Sequence, residues 1–371
     1  MPAADFRILA INPGSSSTKF AVFLNEEPEW VRNVRHSDEE MEAFRGRPVL
    51  DQESFRRTLI ETHLRDAGWE LKNLSAVAGR GGLLPRLASG TFRVNEAMLE
   101  ELRLARRGEH ASNLGAILAR VIALKAGVEA YIVDPVSVDE RPERARLSGS
   151  ALLPRPSLHH ALNTKAIAKR YAREQGMPYA RLRLIVVHLG SGVCATAHEG
   201  GKTIEYNDSR EEGPFAYERA GSVPSVGLIR LCFSGKYTEQ QAEDLVAREA
   251  GLYSYLGTKD LEKVEQRIAA GDAYARLIFE TMVYQIAQQI GAMAAVLKGR
   301  VDAVLITGGM AHSKELVGQL QEAVQWVAPM RVYPGEDELR ALVEGVLRVL
   351  RHEEPAQEFT GEYAAGQGAG S

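Results

Sequence analysis

Cysteine is nearly absent, with two in 371 residues, Cys194 and Cys232. That supply excludes a disulfide scaffold, and neither residue sits in a CxxC or Cys/His spacing that would hold a metal. Both fit a reducing compartment, where a thiol behaves as a small apolar group. An excess of one charge is missing too. Lys and Arg total 45 against 49 Asp and Glu, a formal net charge of −4. This balance argues against broad electrostatic binding to nucleic acid or to an anionic membrane. No apolar run approaches the roughly 20 residues of a membrane span. The short apolar stretch 6–11 is stopped by Asn12-Pro13-Gly14, too soon for a secretory signal. The expected location is the cytoplasm. What remains is ordinary globular composition, 45% hydrophobic and 25% charged. A chain of 371 residues exceeds what one core usually covers, so two domains are expected.

The elements alternate in the α/β manner. Residues 6–12 and 18–24 read as strands joined by the polar turn Gly14-Ser15-Ser16-Ser17-Thr18. Helical spacing over 38–66 breaks near Gly46-Arg47-Pro48, and a buried strand at 75–79 runs into Arg80-Gly81-Gly82. Helices at 95–107 and 112–126 follow, the second stopped by Gly127, and a strand at 130–133 closes on Asp134-Pro135. The second half begins alike, with strand 182–189, Gly190-Ser191-Gly192, strand 193–198, a Gly200-Gly201 turn and strand 202–206. Helices are predicted at 225–234, 238–249, 273–298, 314–327 and 336–351. Strands are predicted at 301–307, which ends in Gly308-Gly309, and at 330–333. Both halves open with strand, small polar turn, strand, and both later end a strand in glycines. That pattern suggests an ancient duplication. From Pro355 the glycines Gly361, Gly366, Gly368 and Gly370 mark a frayed tail.

Three of these turns share a property. Residues 14–18, 190–192 and 308–309 are Gly or Ser turns after strands, where backbone N–H groups can approach a phosphate closely. The serine hydroxyls and Lys19 add donors and a positive charge. No GxxxxGK[ST] loop occurs, and Ala195 breaks any GxGxxG reading of the second turn. One such turn is weak evidence, but three in corresponding places of two halves point to a nucleotide.

The segment Ile11-Asn12-Pro13-Gly14-Ser15-Ser16-Ser17-Thr18-Lys19 resembles the phosphate-cradling opening of the acetate kinase and butyrate kinase family. So do His188-Leu189-Gly190-Ser191-Gly192, Thr307-Gly308-Gly309-Met310-Ala311 and Val332-Tyr333-Pro334-Gly335-Glu336-Asp337-Glu338-Leu339. Three stretches resemble the butyrate kinase branch: Glu109-His110-Ala111-Ser112-Asn113, Gly213-Pro214-Phe215 with Glu218-Arg219, and Leu231-Cys232-Phe233-Ser234-Gly235-Lys236-Tyr237-Thr238. The match runs from about residue 6 to about residue 354. It implies the α/β fold of the acetate and sugar kinase, heat-shock chaperone and actin superfamily, two RNase-H-like domains with an interdomain cleft. Residues 1–140 plus 338–354 would form the first domain, closed by the last helix, and 141–337 the nucleotide-binding second, with 355–371 a flexible tail. It also implies ATP or ADP with Mg²⁺, a short-chain carboxylic acid substrate, and a homodimer or larger homo-oligomer. Butyrate, with isobutyrate or other branched acids, is the expected substrate, and acetate or propionate the alternative. A third reading keeps the fold as a nucleotide-driven switch without an acyl acceptor.

A carboxylic acid is already ionised near neutral pH and needs no base to become a nucleophile. The chemistry requires charge management, because a carboxylate and a triphosphate repel. Arg80, at a strand end, could hold the acid's carboxylate in a bidentate pair. The loop residue Arg219 would, by resemblance, stabilise the transferring phosphoryl group. Resemblance also assigns catalytic roles to His160, although His159 stands where the family has an aromatic residue, and to His110 and Asp134. Asp134-Pro135 reads equally as a simple turn. Nucleotide contacts are expected from Asn12, Ser15, Ser17, Lys19, His188, Gly190, Ser191, Gly192, Gly308 and Gly309. Asn12 and an acid of the Glu336-Asp337-Glu338 run are the expected metal ligands, ungapped alignment favouring Asp337 and then Glu338. The same acids also suit a helix N-terminus, where the dipole favours negative charge. Gly82 is expected to widen the acyl pocket beside Arg80, or else to be there for a positive φ.

Overall fold

In the computed structural model, which describes residues 5–361, the described parts of Met1–Asp139 and Asp337–Ser371 form one unit and Glu140–Glu336 a second. The chain opens with the antiparallel hairpin β1 (Arg7–Pro13) and β2 (Ser17–Leu24). Because β2 begins at Ser17, the turn between them is tighter than expected. An edge strand not anticipated from sequence, β3 (Glu27–Arg35), follows; none of its residues is buried, so it lacks the apolar alternation that betrays a strand. α1 (Asp38–Glu42) starts at a Ser37/Glu40 capping box and α2 (Glu53–Asp66) comes after the break. β4 (Ala76–Gly79) is buried throughout, as a strand between parallel neighbours should be. The short β5 (Thr91–Arg93) precedes α3 (Glu96–Leu104) and α4 (Asn113–Ala126), and β6 (Glu129–Val133) follows. Asn95 caps α3, and Gly127 ends α4 at φ 71°.

The second unit contains α5 (Ala161–Glu174) and the meander β7 (Leu184–Leu189), β8 (Val193–Glu199), β9 (Lys202–Tyr206). Then come α6 (Ser225–Cys232), α7 (Glu239–Ala247), α8 (Gly251–Leu256), α9 (Leu261–Ala269) and the long α10 (Ala273–Val296). β10 (Ala303–Gly308), α11 (Lys314–Val324) and β11 (Met330–Pro334) complete it. Thr238, Asp260, Asp272 and Ser313 cap α7, α9, α10 and α11. α12 (Glu338–Leu350) and β12 (Gln357–Glu358) belong to the first unit again.

The two sheets repeat one plan. The first has the order β12-β5-β6-β4-β1-β2-β3 and the second β11-β10-β7-β8-β9. In each, an antiparallel meander (β1–β3, β7–β9) is extended on the side of its first strand by two parallel strands, β4 and β6 or β10 and β11. The duplication suggested by turn spacing is thus one of topology. Period-2 alternation buries both faces of β7: Ile185 and Val187 pack with Phe279, Met282 and Ile286 of α10, and Leu184 and Val186 with Ala168 and Tyr171 of α5. In the first unit, Leu9 and Ile11 pack with Leu114 and Ile117 of α4. α12 closes on β6 where Gly345 leaves no room for a side chain, a Cβ there falling 2.5 Å from Val133.

The tail expected to fray from Pro355 does not do so at once. Gln357–Glu358 pairs in parallel with β5 and Phe359 is buried; residues 362–371 lie outside the described ones. Among the described residues no helix is long and apolar enough to cross a membrane.

Candidate active site

In the first unit, three expected site residues meet at strand ends. Asn12 lies near the end of β1, and Arg80 follows β4, its amide donating to Ile11 O at 2.9 Å. The main chain around Arg80 is wedged. A Cβ on Gly79 would lie 2.1 Å from Gly115 O, one on Gly115 2.2 Å from Arg80 O, and one on Gly81 2.4 Å from the Pro135 side chain. Backbone therefore packs on backbone between β4 and α4, which fixes the Arg80 side chain's origin. Its guanidinium pairs with the Glu338 carboxylate, both side chains being nearly buried, and Asn12 Nδ2 donates to Glu338 Oε2 at 2.5 Å.

This geometry changes two expectations. Asp337, favoured by alignment as the metal carboxylate, is the exposed N-cap of α12, accepting from Arg340 N (3.4 Å) and Nε (2.9 Å). Glu338 is the acid that reaches Asn12. Gly82 does not open an acyl pocket either. Its φ is not positive, and a Cβ would fall 2.5 Å from Asn113 Oδ1 and 2.6 Å from Asn113 Cα. The missing side chain makes room for α4, whose Asn113 also accepts from Leu83 N at 2.9 Å.

The other first-unit residues stand apart. Asp134 is buried with φ 38°, and its Oδ1 accepts from Ser89 Oγ (2.6 Å) and Gly90 N (2.8 Å), so the bonds it makes hold a turn. A positive φ at a non-glycine residue is strained backbone of the kind that collects at functional sites. Exposed His110 precedes α4, its Nδ1 accepting from Ser112 N at 3.2 Å. Ser15 lies within the hairpin turn, Ser17 begins β2, and Lys19 faces Asn12 across the β1–β2 pair.

In the second unit the chemistry is carried by rings and glycines. His160 sits at the start of α5 and stacks on His188, centroids 3.9 Å apart and planes 16° off parallel. His188, buried at the end of β7, lies between Asn163 Oδ1 (3.0 Å from Nδ1) and Glu336 Oε1 (3.1 Å from Nε2). Gly190 folds the turn over this ring; a Cβ would come 2.8 Å from His188 Nε2. Gly192 does the same for Arg219, whose Nη1 would lie 2.4 Å from a Cβ and which donates to Ser209 O and Oγ at 3.2 Å each. Ser191 at the crest is exposed. Burial lowers the Arg219 pKa from its usual value, yet a guanidinium remains charged. Beside Ser209, buried Asp208 is pushed up to about 6 by burial, opposed by the N–H groups of Arg210 and Glu211.

The two glycines after β10 differ. Gly308 (φ 96°) is required, since a Cβ would meet Leu189 O at 2.3 Å; Gly309 is exposed with nothing within 4 Å. Neither packing nor φ explains Gly309, which leaves it open to a ligand. His159, by contrast, is buried away from His160. It stacks on Tyr206 at 3.9 Å and 11°, and the Arg141 guanidinium lies 4.0 Å from the Tyr206 ring. The histidine fills an aromatic role. Asn163, Ser209 and Asp208 were not singled out from sequence, because short polar residues in loops and on a helix carry no periodic signal, and Glu336, expected only as a possible metal acid, instead faces His188.

Among the described residues no three His, Cys, Asp or Glu side chains gather as a metal site. The Asn12–Glu338 pair still suits Mg²⁺, which keeps most of its waters and commonly takes a single carboxylate.

The chain is thus two α/β units on one strand plan, with glycine turns after strands, Arg80 paired in the first and Arg219 and the His160–His188 stack in the second. Residues 156–332 match the model of the Acetokinase family. Over the full length, the chain is similar to Butyrate kinase 2 and Butyrate kinase 1 of Clostridium acetobutylicum, each 47% identical over 355 residues, 95% of this chain and 99% of theirs. Among solved structures, Porphyromonas gingivalis acetate kinase superposes with a TM-score of 0.75 at 17% identity, covering 93% of this chain and all of that one. A propionate kinase from Francisella tularensis gives 0.71 at 17%, covering 91% of this chain and 98% of that one. The chain belongs to the acetokinase family.

Proposed function

We propose that the protein is an ATP-dependent carboxylate kinase that makes butyryl phosphate and ADP, runs in reverse to form ATP, and accepts isobutyrate or other branched short-chain acids. The observation that carries this reading is the 47% identity along nearly the whole chain to two butyrate kinases. Gly82 no longer supports a four-carbon acid, so the preference for butyrate rests on that likeness alone.

The residues fit the chemistry. The acid arrives as a carboxylate, and Arg80 holds it by the fork that Glu338 now occupies. One carboxylate oxygen forms a bond to the γ-phosphorus as the bond to the ADP oxygen breaks, and charge spreads over three phosphoryl oxygens. Arg219, held by Ser209 and by the space at Gly192, stabilises that charge, with His160 beside it in role. Asn12, Ser15, Ser17, Lys19, His188, Gly190, Ser191, Gly192, Gly308 and Gly309 receive the nucleotide, His110 assists the acyl or phosphoryl group, and Asp134 orients the site. Asn12 and Glu338 would hold Mg²⁺, which supplies charge neutralisation to the phosphates when bound.

The reading includes a cytoplasmic location and a homodimer or larger assembly. The second is supported by α6, none of whose residues is buried, with Val226, Ile229 and the following Phe233 exposed by 60%, 57% and 88%. Trapping acyl phosphate as hydroxamate across straight and branched acids of two to six carbons tests the activity. Highest kcat/KM for butyrate or isobutyrate is expected. A maximum at acetate or propionate would overturn the acid, and absence of hydroxamate with every acid would overturn the enzyme.

A further inference from the structure

The guanidinium of Arg56, on α2, is completely buried, yet it forms no ion pair among the described residues. Its Nε and Nη2 donate to Gln52 Oε1 (3.0 and 2.8 Å). Nη1 donates to Ser17 O and Thr18 Oγ1 (both 2.9 Å), and Nη2 reaches Ser15 O at 3.4 Å. Burying a cation without a counter-charge is costly, and burial pulls its pKa down only to about 10, so it stays charged.

What it touches explains the expense. Three successive carbonyls of the hairpin are taken up from within: Ser15 O and Ser17 O by Arg56, Ser17 O again by Gly14 N (2.8 Å), and Ser16 O by His36 N (2.9 Å). Ser15 and Ser16 are exposed, and their N–H groups donate to nothing among the described residues. The turn thus spends the carbonyls of residues 15–17 within the fold and leaves the Ser15 and Ser16 N–H groups uncommitted, with a positive charge behind them. Oriented N–H groups of this kind bind anions.

Resting on the phosphoryl-transfer reading, we propose that Arg56 is a positioning residue for the nucleotide phosphates: it orders the turn of residues 14–16 and supplies an uncompensated positive charge beneath it. The sharpest test leaves Arg56 in place. Gln52→Glu puts a carboxylate against the same guanidinium nitrogens, which should hold the fold as well or better while cancelling the charge. Calorimetric Kd values for ATP and inorganic tripolyphosphate should rise by about tenfold, with adenosine affinity, the acid KM and Tm unchanged or, for Tm, higher. Arg56→Gln should weaken both polyanions at least as much, and Arg56→Lys should recover most of that loss. A Gln52→Glu protein that binds both polyanions like wild type overturns the proposal, as does equal loss of adenosine and tripolyphosphate. Should wild type form no acyl phosphate, the functional reading fails by itself, and the polyanion comparison still decides Arg56.

Discussion

The two units share a strand plan but handle charge in opposite ways. At the strand ends of the first, full charges stand in direct contact or alone: Arg80 against Glu338, and Arg56 with only neutral acceptors. The corresponding ends of the second are built from stacked rings and from gaps where a Cβ is missing, with Arg219 threaded through one of them. Topology fixes where the turns fall, and the side chains reaching them are free to diverge. In the proposed reaction the first unit grips substrates by charge, and the second places one arginine for the transferring group.

That contrast can be broken at the arginines, where the largest effects are expected. Arg219→Ala should lower kcat by about 10²- to 10³-fold with ATP KM nearly unchanged, the mark of a group acting in the transition state. Arg80→Ala should instead raise the acid KM steeply, since the lost fork holds the ground-state carboxylate as well. Steady-state kinetics with both substrates varied distinguish them. If both variants changed the same parameter, the division of labour between the units would be wrong.

The glycines sharpen it at smaller scale. Gly82→Ala puts a methyl against Asn113 Cα and should cost about 1–3 kcal/mol of stability, with kcat/KM falling alike for every acid. Gly309→Ala meets nothing and should keep the wild-type Tm while raising ATP KM. Thermal melts with parallel kinetics read both. An acid-selective change at Gly82 would restore the pocket argument.

How much of this the sequence carries depends on what each signal measures. Strand-turn-strand spacing located both hairpins, and apolar runs located β4, β7 and β10, because burial on both faces leaves an apolar record. The same logic fails for β3, an edge strand that sets only the partly buried Trp30 and Val34 against the core and leaves the residues between them exposed. α8 and α9, in a stretch where no helix was predicted, are short for a periodic signal. Arg56 was missed although a trace exists: it lies at i−4 and i−8 from buried Ile60 and Leu64, where an apolar residue belongs. An arginine on an apolar stripe is worth marking. The Gly82 reading failed for another reason, since a sequence gives no direction for the absent Cβ. Choosing Glu338 over Asp337 needed the helix start to be located to one residue, which motif spacing does not supply.

The smallest expected effect isolates the ring column. His159 is buried between Tyr206 and its surroundings, and neither of its nitrogens has a hydrogen-bond partner among the described residues. Burial, with Lys165 and Arg141 nearby adding repulsion, holds its pKa well below the usual imidazole range. The folded protein therefore keeps it neutral, while the unfolded chain protonates it below pH ~6.5. Protons bind the unfolded state preferentially, so stability falls as pH drops through that value, by up to about 1.4 kcal/mol per pH unit for this group. Buried His198, also lowered by burial, adds the same sign and remains in the variant. His159→Phe removes one such group and its two unbonded nitrogens while keeping the ring on Tyr206. At pH 8 the variant should lie within about 1 kcal/mol of wild type. At pH 5 the difference should have moved about 2 kcal/mol in its favour. Urea denaturation at the two pH values measures this directly, and kcat should hardly change, because the proposed reaction uses His160 and leaves His159 out. A pH-independent stability difference would show that His159 is protonated in the folded protein, and a large loss of kcat would make it part of the catalytic apparatus.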